Sequence, residues 1–202
     1  MRSTSRKSTT TVPRRRPIFK KLGRSFYARP AIELAPDLIG HILVRRIHDR
    51  KLRARIVETE AYVGTHDLAC HASKGRTRRT EVMFGPAGHA YVYLIYGMHE
   101  MFNIVAGRVG DAQAVLIRAA EPLDGWEVDL SGPGKLARGL EITRVHNGLD
   151  LTEKELYVVT RSANRPAIVK TRRIGVDYAG EWKDALLRFC DPNSAAVSKK
   201  LR

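Results

Sequence analysis

Short runs of alternating apolar and polar positions dominate this chain, and long helical patterns are scarce. Residues 41–47 alternate and predict a strand, and 52–62 predict a second, with Asp49-Arg50 as the turn between them. The strongest strand signal is Ala90-Tyr91-Val92-Tyr93-Leu94-Ile95-Tyr96, rich in aromatic and β-branched side chains. Asn103–Ala106 and Ala114–Ala119 predict two more, joined through Gly107–Asp111, and late strands are expected at Leu156–Thr160 and Arg172–Val176. Ala35-Pro36-Asp37 reads as the start of a short helix over Leu38–Gly40. Ser131-Gly132-Pro133-Gly134 opens a second helix with proline early in its first turn. Strands mix with few helices and show no regular βαβ alternation, which predicts an α+β fold around an antiparallel or mixed sheet.

Composition adds a partner class. The 202 residues are 43% hydrophobic, enough for one domain with a true core plus a tail. A net charge of +15 predicts a polyanionic partner, nucleic acid first; an anionic membrane surface or a solvated basic face would also account for it. The charge is densest at the start, where Arg2, Arg6, Lys7, Arg14, Arg15, Arg16, Lys20 and Lys21 meet no acid before Glu33. Residues 1–22 are therefore expected as a disordered basic tail ahead of a domain at 23–202. Such a tail could track DNA, act as an organelle transit peptide or be inert. Cys70 and Cys190 are too few and too far apart for a disulfide framework, which points to a reducing compartment. No apolar stretch approaches the ~20 residues of a membrane span, and the start lacks the apolar core of a secretory signal.

Four constellations could carry chemistry. On a strand, Glu58, Glu60 and Tyr62 share a face, together with Ala54 and Ile56. Carboxylates two residues apart lie roughly 7 Å from each other, within the range inverting glycosidic hydrolysis uses to seat a water; two solvated glutamates on a surface strand give the same pattern. Cys70-His71 with Asp67 offers too few ligands for zinc, so no metal is expected. A Cys–His nucleophile fails as well, since neighbours on a strand point apart. Tyr91 and Tyr93 share a face, as core or as a ring-binding wall, while Tyr96 precedes Gly97 at a turn where it can protrude. Ser131-Gly132-Pro133-Gly134-Lys135-Leu136 is no Walker loop, because Asp129 and Leu136 stand where glycine and Ser/Thr are required; Lys135 at a helix start could still hold one DNA phosphate. The basic run Lys74, Arg76, Arg78 and Arg79 suits phosphate contact or a solvated loop.

Read together, Ala28-Arg29-Pro30, Ile56-Val57-Glu58-Thr59-Glu60-Ala61-Tyr62, His71, Met83-Phe84, Tyr91 through Met98, Asn103, Val115 through Leu123 and Ser131 through Leu136 resemble the alkyladenine (3-methyladenine) DNA glycosylase family. The resemblance covers nearly everything beyond the tail. It implies a single domain with a curved antiparallel or mixed sheet, flanked by helices, and a protruding β-hairpin that enters DNA. It implies a monofunctional enzyme that flips damaged purines out of duplex DNA and hydrolyses the N-glycosidic bond without strand cleavage. That enzyme would be a monomer without a cofactor, working wherever the DNA is: bacterial nucleoid or cytoplasm, nucleus, or an organelle. Glu60 then matches the general base, and Arg118 the residue that helps place the attacking water. Tyr62, His71 and Tyr93 match the enclosure of the flipped base, and Asn103 a residue that discriminates against guanine. Tyr96 matches the wedge, flanked by Met98 and His99, with Arg76, Arg79 and Lys135 on the DNA backbone. The backbone near Val176 matches a carbonyl contact to the water. Two departures stand out: Glu100 follows the wedge, and Thr80 replaces an asparagine usual after the arginine matched by Arg79. A nucleic-acid-binding module without catalysis and a carbohydrate glycosidase using Glu58 and Glu60 are the rival readings.

Overall fold

One long strand organises the molecule. β2 (Arg50–Tyr62) follows β1 (Ile42–Ile47) through a tight turn at His48-Asp49, one residue earlier than expected, with His48 at a φ of 51°. The computed structural model describes residues 19–160 and 165–200. Most of the expected tail, residues 1–18, lies outside them. Its last residues are part of the fold: Leu22 is buried, and its N–H donates to the Val158 carbonyl.

The remaining strands are β3 (Ala90–Ile95), β4 (His99–Ala106), β5 (Gln113–Pro122), β6 (Leu156–Val159), β7 (Val169–Thr171) and β8 (Arg188–Cys190). They form one curled sheet in the order β3-β4-β5-β2-β1-β6, with β8 pairing both β2 and β7, and every pairing is antiparallel. Among the described residues the α-helices are short: α1 (Arg24–Tyr27), α2 (Ala31–Leu38) and α3 (Pro133–Gly139). The α+β expectation is met.

Three sequence expectations are corrected. The helix near residue 36 ends there instead of starting: α2 begins after Pro30, and Pro36 sits in its last turn, where it gives up one helical hydrogen bond close to the helix end. Arg172–Val176 is a loop, and the strand lies just before it at β7. β4 starts four residues early because pairing with β3 overrides a weak local signal at His99–Met101.

The faces of β2 also depart from simple alternation. Its register with β5 slips at Val57 and slips back at Arg118: Ile56 pairs Ala120, Glu58 pairs Ala119 and Thr59 pairs Ile117. Each bulge turns its strand over. Before them, Ala54 and Ile56 face the main core; after them Ala61 does, and Thr59 donates to the Ala35 carbonyl of α2. Glu58 and Glu60 therefore point away from the core that holds Ala54 and Ile56, against the shared face expected from alternation.

Candidate active site

The paired bulges and the sheet register collect the polar groups on one face. Glu60 pairs Leu116 on β5 and Arg188 on β8, Leu116 pairs Asn103, and Asn103 pairs Tyr91. Partners in register share a face, so Glu60, Tyr62, Tyr91, Tyr93, Asn103, Arg118 and Arg188 all lie opposite the main core. A second, smaller apolar cluster fills this side, built from Cys70, Ala72, Met83, Tyr91, Val105, Ala112 and Ala114, with Tyr62 and Tyr93 against it.

In that cluster lies a slot of about 140 Å³, whose walls include Tyr62, His71, Tyr91, Tyr93, Asn103 and Gly175. It is well below the roughly 300–1,000 Å³ of pockets for larger ligands, so it suits a single flat ring system. Its walls are aromatic and uncharged. Burial pushes the Tyr91 hydroxyl up to about 12 and raises Tyr93 further, and burial together with the Glu60 charge raises Tyr62 well above the ordinary tyrosine value. His71 stands on a short helical turn rather than a strand. Its Nδ1 lies 2.9 Å from the Tyr91 hydroxyl, and its ring packs edge-on 4.5 Å from the Tyr93 ring centre. Asn103 is anchored by donating to the carbonyls of Tyr91 and Met101.

Burial, and secondarily Arg79, lower the His71 pKa from 6.5 to about 4. His71 is thus a neutral ring at pH 7. The stability its neutral form contributes is complete above pH 6.5 and is lost as the pH falls from there through about 4. Its imidazole nitrogen NMR shifts are expected to stay those of a neutral ring from about pH 8 down to about pH 5. A titration centred near the ordinary histidine value would contradict the packing.

Behind the slot, Glu58 and Glu60 are fully buried, which excludes a pair of solvated glutamates. Arg118 ties them together: Nε donates to Glu58 Oε1 and Nη1 to Glu60 Oε2, both at 3.2 Å. The two carboxylates differ in what else they accept. Glu58 Oε1 also takes Arg188 Nε at 2.6 Å and the Ser198 hydroxyl at 2.8 Å, and Oε2 takes the Ser198 N–H at 2.6 Å. Glu58 thus carries four bonds, three of them crowded on Oε1, and anchors Arg118, Arg188 and Ser198. Glu60 Oε2 also accepts the Tyr62 hydroxyl at 2.9 Å, and Oε1 accepts the Ile174 N–H at 2.8 Å, its one donor among the described residues. Glu60, unlike Glu58, touches the slot, through Tyr62.

The other expected residues fall into separate places. Tyr96 and Met98 are strongly exposed on the β3–β4 turn, at 83% and 70%. Tyr96 holds a φ of 52°, strained for a side chain of its size, and Gly97 follows at 71°. His99 packs on the first turn of α3, where a side chain on Gly134 would meet its ring at 3.2 Å. Lys135 is bound to Asp129 at 2.7 Å and lines a groove of about 1070 Å³ beside the turn. Arg79 stacks 4.9 Å from the Tyr93 ring centre, and Arg76 pairs with Glu81 at 3.5 Å. The two departures also find places. Glu100 points to Arg144, accepting its Nε at 3.1 Å, and the buried Thr80 hydroxyl accepts the Thr77 N–H and donates to the Gly75 carbonyl, tying the basic loop. The Val176 carbonyl accepts the Ala179 N–H; the contact of this loop to Glu60 is the Ile174 N–H.

Sequence reasoning passed over Arg188, Ile174 and the fully buried ion pair of Arg173 with Asp67. Arg173 stands beside Lys170 and Arg172 in the sequence, like a surface charge, and its partner Asp67 is over one hundred residues away.

Fold and site together define a small antiparallel-sheet protein with a buried carboxylate behind an aromatic slot. The profile of the methylpurine-DNA glycosylase family matches residues 25–195. Proteins named "Putative 3-methyladenine DNA glycosylase" are similar along nearly their whole length. One from Methanocella arvoryzae is 51% identical over 195 residues, covering 89% of this chain and 96% of its own. One from Myxococcus xanthus is 50% identical, covering 88% and 93%, and one from Legionella pneumophila strain Lens is 46% identical, covering 89% and 99%. The chain belongs to the methylpurine-DNA glycosylase family.

Proposed function

We propose that the protein is a monofunctional DNA glycosylase that everts alkylated or deaminated purines, among them 3-methyladenine, 7-methylguanine, hypoxanthine and ethenoadenine, and hydrolyses their bond to deoxyribose. The observation that carries this reading is Glu60: fully buried, with a single donor on Oε1 among the described residues, and bonded to a wall of the slot. A purine stacked in duplex DNA is out of reach, and everting it costs a few kcal/mol, least for damaged pairs. The exposed Tyr96 fills the gap left in the stack, with Met98 and His99 beside it. Tyr62, His71 and Tyr93 then enclose the base; aromatic faces favour an electron-poor or cationic purine. Asn103 screens its edge. Glu60 takes the proton of a water attacking the sugar C1′, and Arg118 fixes the carboxylate that orients it.

No lysine is among the described residues lining the slot, so the strand stays intact after base loss. The protein works as a monomer on damaged duplex DNA inside the cell, and the basic segment ahead of residue 19 adds salt-dependent affinity. Arg76, Arg79 and Lys135 contact the backbone, Lys135 by exchanging Asp129 for a phosphate. Among the described residues no helix is long and apolar enough to cross a membrane.

The test is a panel of duplex oligonucleotides carrying each lesion. Base loss with an unbroken strand is expected for at least one. Tight binding without release would support a module lacking catalysis instead. On the same panel, Tyr96→Gly is expected to gain about 1 kcal/mol of stability by relieving the left-handed strain while losing activity on duplex more than on single strands.

A further inference from the structure

We propose that the buried Arg173–Asp67 ion pair is a positioning clamp that holds the Ile174 amide on Glu60 and the His71 loop against the slot. This rests on the glycosylase reading above and extends it to residues that do not touch the base. Both side chains are fully buried, and the guanidinium grips the carboxylate with two bonds, Nη1 to Oδ2 at 2.5 Å and Nη2 to Oδ1 at 2.8 Å.

Each partner also organises its own loop. Asp67 accepts the N–H groups of Val63 at 3.2 Å and Ala69 at 3.0 Å, shaping the turn that delivers Cys70 and His71. Arg173 donates to the carbonyls of Ala61 at 3.0 Å and Trp182 at 3.3 Å, and its guanidinium lies 4.9 Å from the Tyr62 ring centre. The next residue is Ile174, whose N–H reaches Glu60 at 2.8 Å, followed by Gly175 in the slot wall.

Neither loop belongs to a strand, so no sheet ladder fixes these backbones. The two loops also meet through the buried Ala69, Val176 and Ala179 and the Tyr178 hydroxyl on the Ala69 carbonyl, but the ion pair is the two-pronged, directional joint between them beneath Tyr62. Its burial is costly, since an apolar pair of similar volume would be about as stable, and Arg173 Nε finds no acceptor among the described residues. A costly polar joint under two loops that meet the active carboxylate is an investment in geometry, because a small misplacement of a catalytic group slows chemistry far more than it weakens binding.

The test compares Arg173→Lys, which keeps the charge but cannot make the two-pronged contact, with Leu34→Ala, which opens a cavity in the main core under α2. Single-turnover base release is measured well below both melting temperatures, together with lesion-DNA affinity and amide hydrogen exchange. Arg173→Lys is expected to slow base release about 10–100-fold with affinity changed less than about threefold. Exchange at the Ile174 amide should quicken while Ile117 on β5 stays protected. Leu34→Ala should release base at the wild-type rate when folded. Should the lysine variant fail to fold, Asp67→Asn gives the same readouts while keeping the carboxamide's shape. Wild-type release by the clamp variants, or unchanged protection at Ile174, overturns the clamp. If wild-type protein releases no base from any lesion duplex, the glycosylase assignment itself falls; if it does and the clamp variants release base at the same rate, the clamp alone falls.

Discussion

Glu60→Gln is expected to slow release of a damaged purine by about two to four orders of magnitude while the protein still binds lesion-containing duplex. The substitution keeps shape and removes basicity. The new amide oxygen can still accept the Ile174 N–H, and the Tyr62 hydroxyl can turn to accept from the new NH₂ group. Arg118 loses one acceptor and keeps its bond to Glu58. Stability should fall by only about 1–3 kcal/mol, the cost of imperfect pairing in a buried network. The slot itself, made by Tyr62, His71, Tyr93 and Asn103, is untouched, so affinity for the everted base persists. Single-turnover base release and gel-shift titration on the same duplexes separate the two effects. Release at the wild-type rate would remove Glu60 from the role of base.

Much of this arrangement is legible in the sequence because it rides on alternation. Tyr91 and Tyr93 on one face of β3, and Glu58, Glu60 and Tyr62 on one face of β2, follow from the two-residue period alone. What alternation cannot supply is the side on which that face lies. Ala54 and Ile56 predict that Glu58 and Glu60 point with them; the bulges at Val57 and Arg118 turn both strands over and send the carboxylates away from the core. A bulge leaves no local trace in a run such as Arg-Ile-Val-Glu-Thr-Glu, since each residue fits either pleat. Long-range partners were equally hidden. Arg188 reaches Glu58 from 130 residues away and Arg173 reaches Asp67 from 106, and neither arginine stands in a pattern distinguishing it from a surface charge. In the sequence, family resemblance alone selects Glu60 over Glu58; in the fold the two differ in their partners, Glu58 holding Arg188 and Ser198 and Glu60 the slot wall Tyr62.

That asymmetry separates the two carboxylates experimentally. Glu58→Ala should act on stability where Glu60→Gln acts on rate. Removing Glu58 strands Arg188 and half of Arg118, both nearly buried, without their shared acceptor Oε1. Breaking a buried pair from one side costs about 3–5 kcal/mol, or a fall of about 6–20 °C in melting temperature for a chain of this length. Glu58 also receives both the N–H and the hydroxyl of Ser198, while Arg188 Nη2 donates to the Lys199 carbonyl at 2.7 Å. The C-terminal segment is therefore pinned behind Glu60 by Glu58 and by the arginine that Glu58 holds. In Glu58→Ala it should become sensitive to limited proteolysis near Ser198 before the rest of the domain unfolds. Base release per folded molecule should fall far less than in Glu60→Gln, because Glu60 and the slot remain. The contrary pattern, a Glu58→Ala protein as stable as wild type yet as inactive as Glu60→Gln, would transfer the catalytic role to Glu58, since a structural anchor with four buried bonds cannot be removed without a loss of stability.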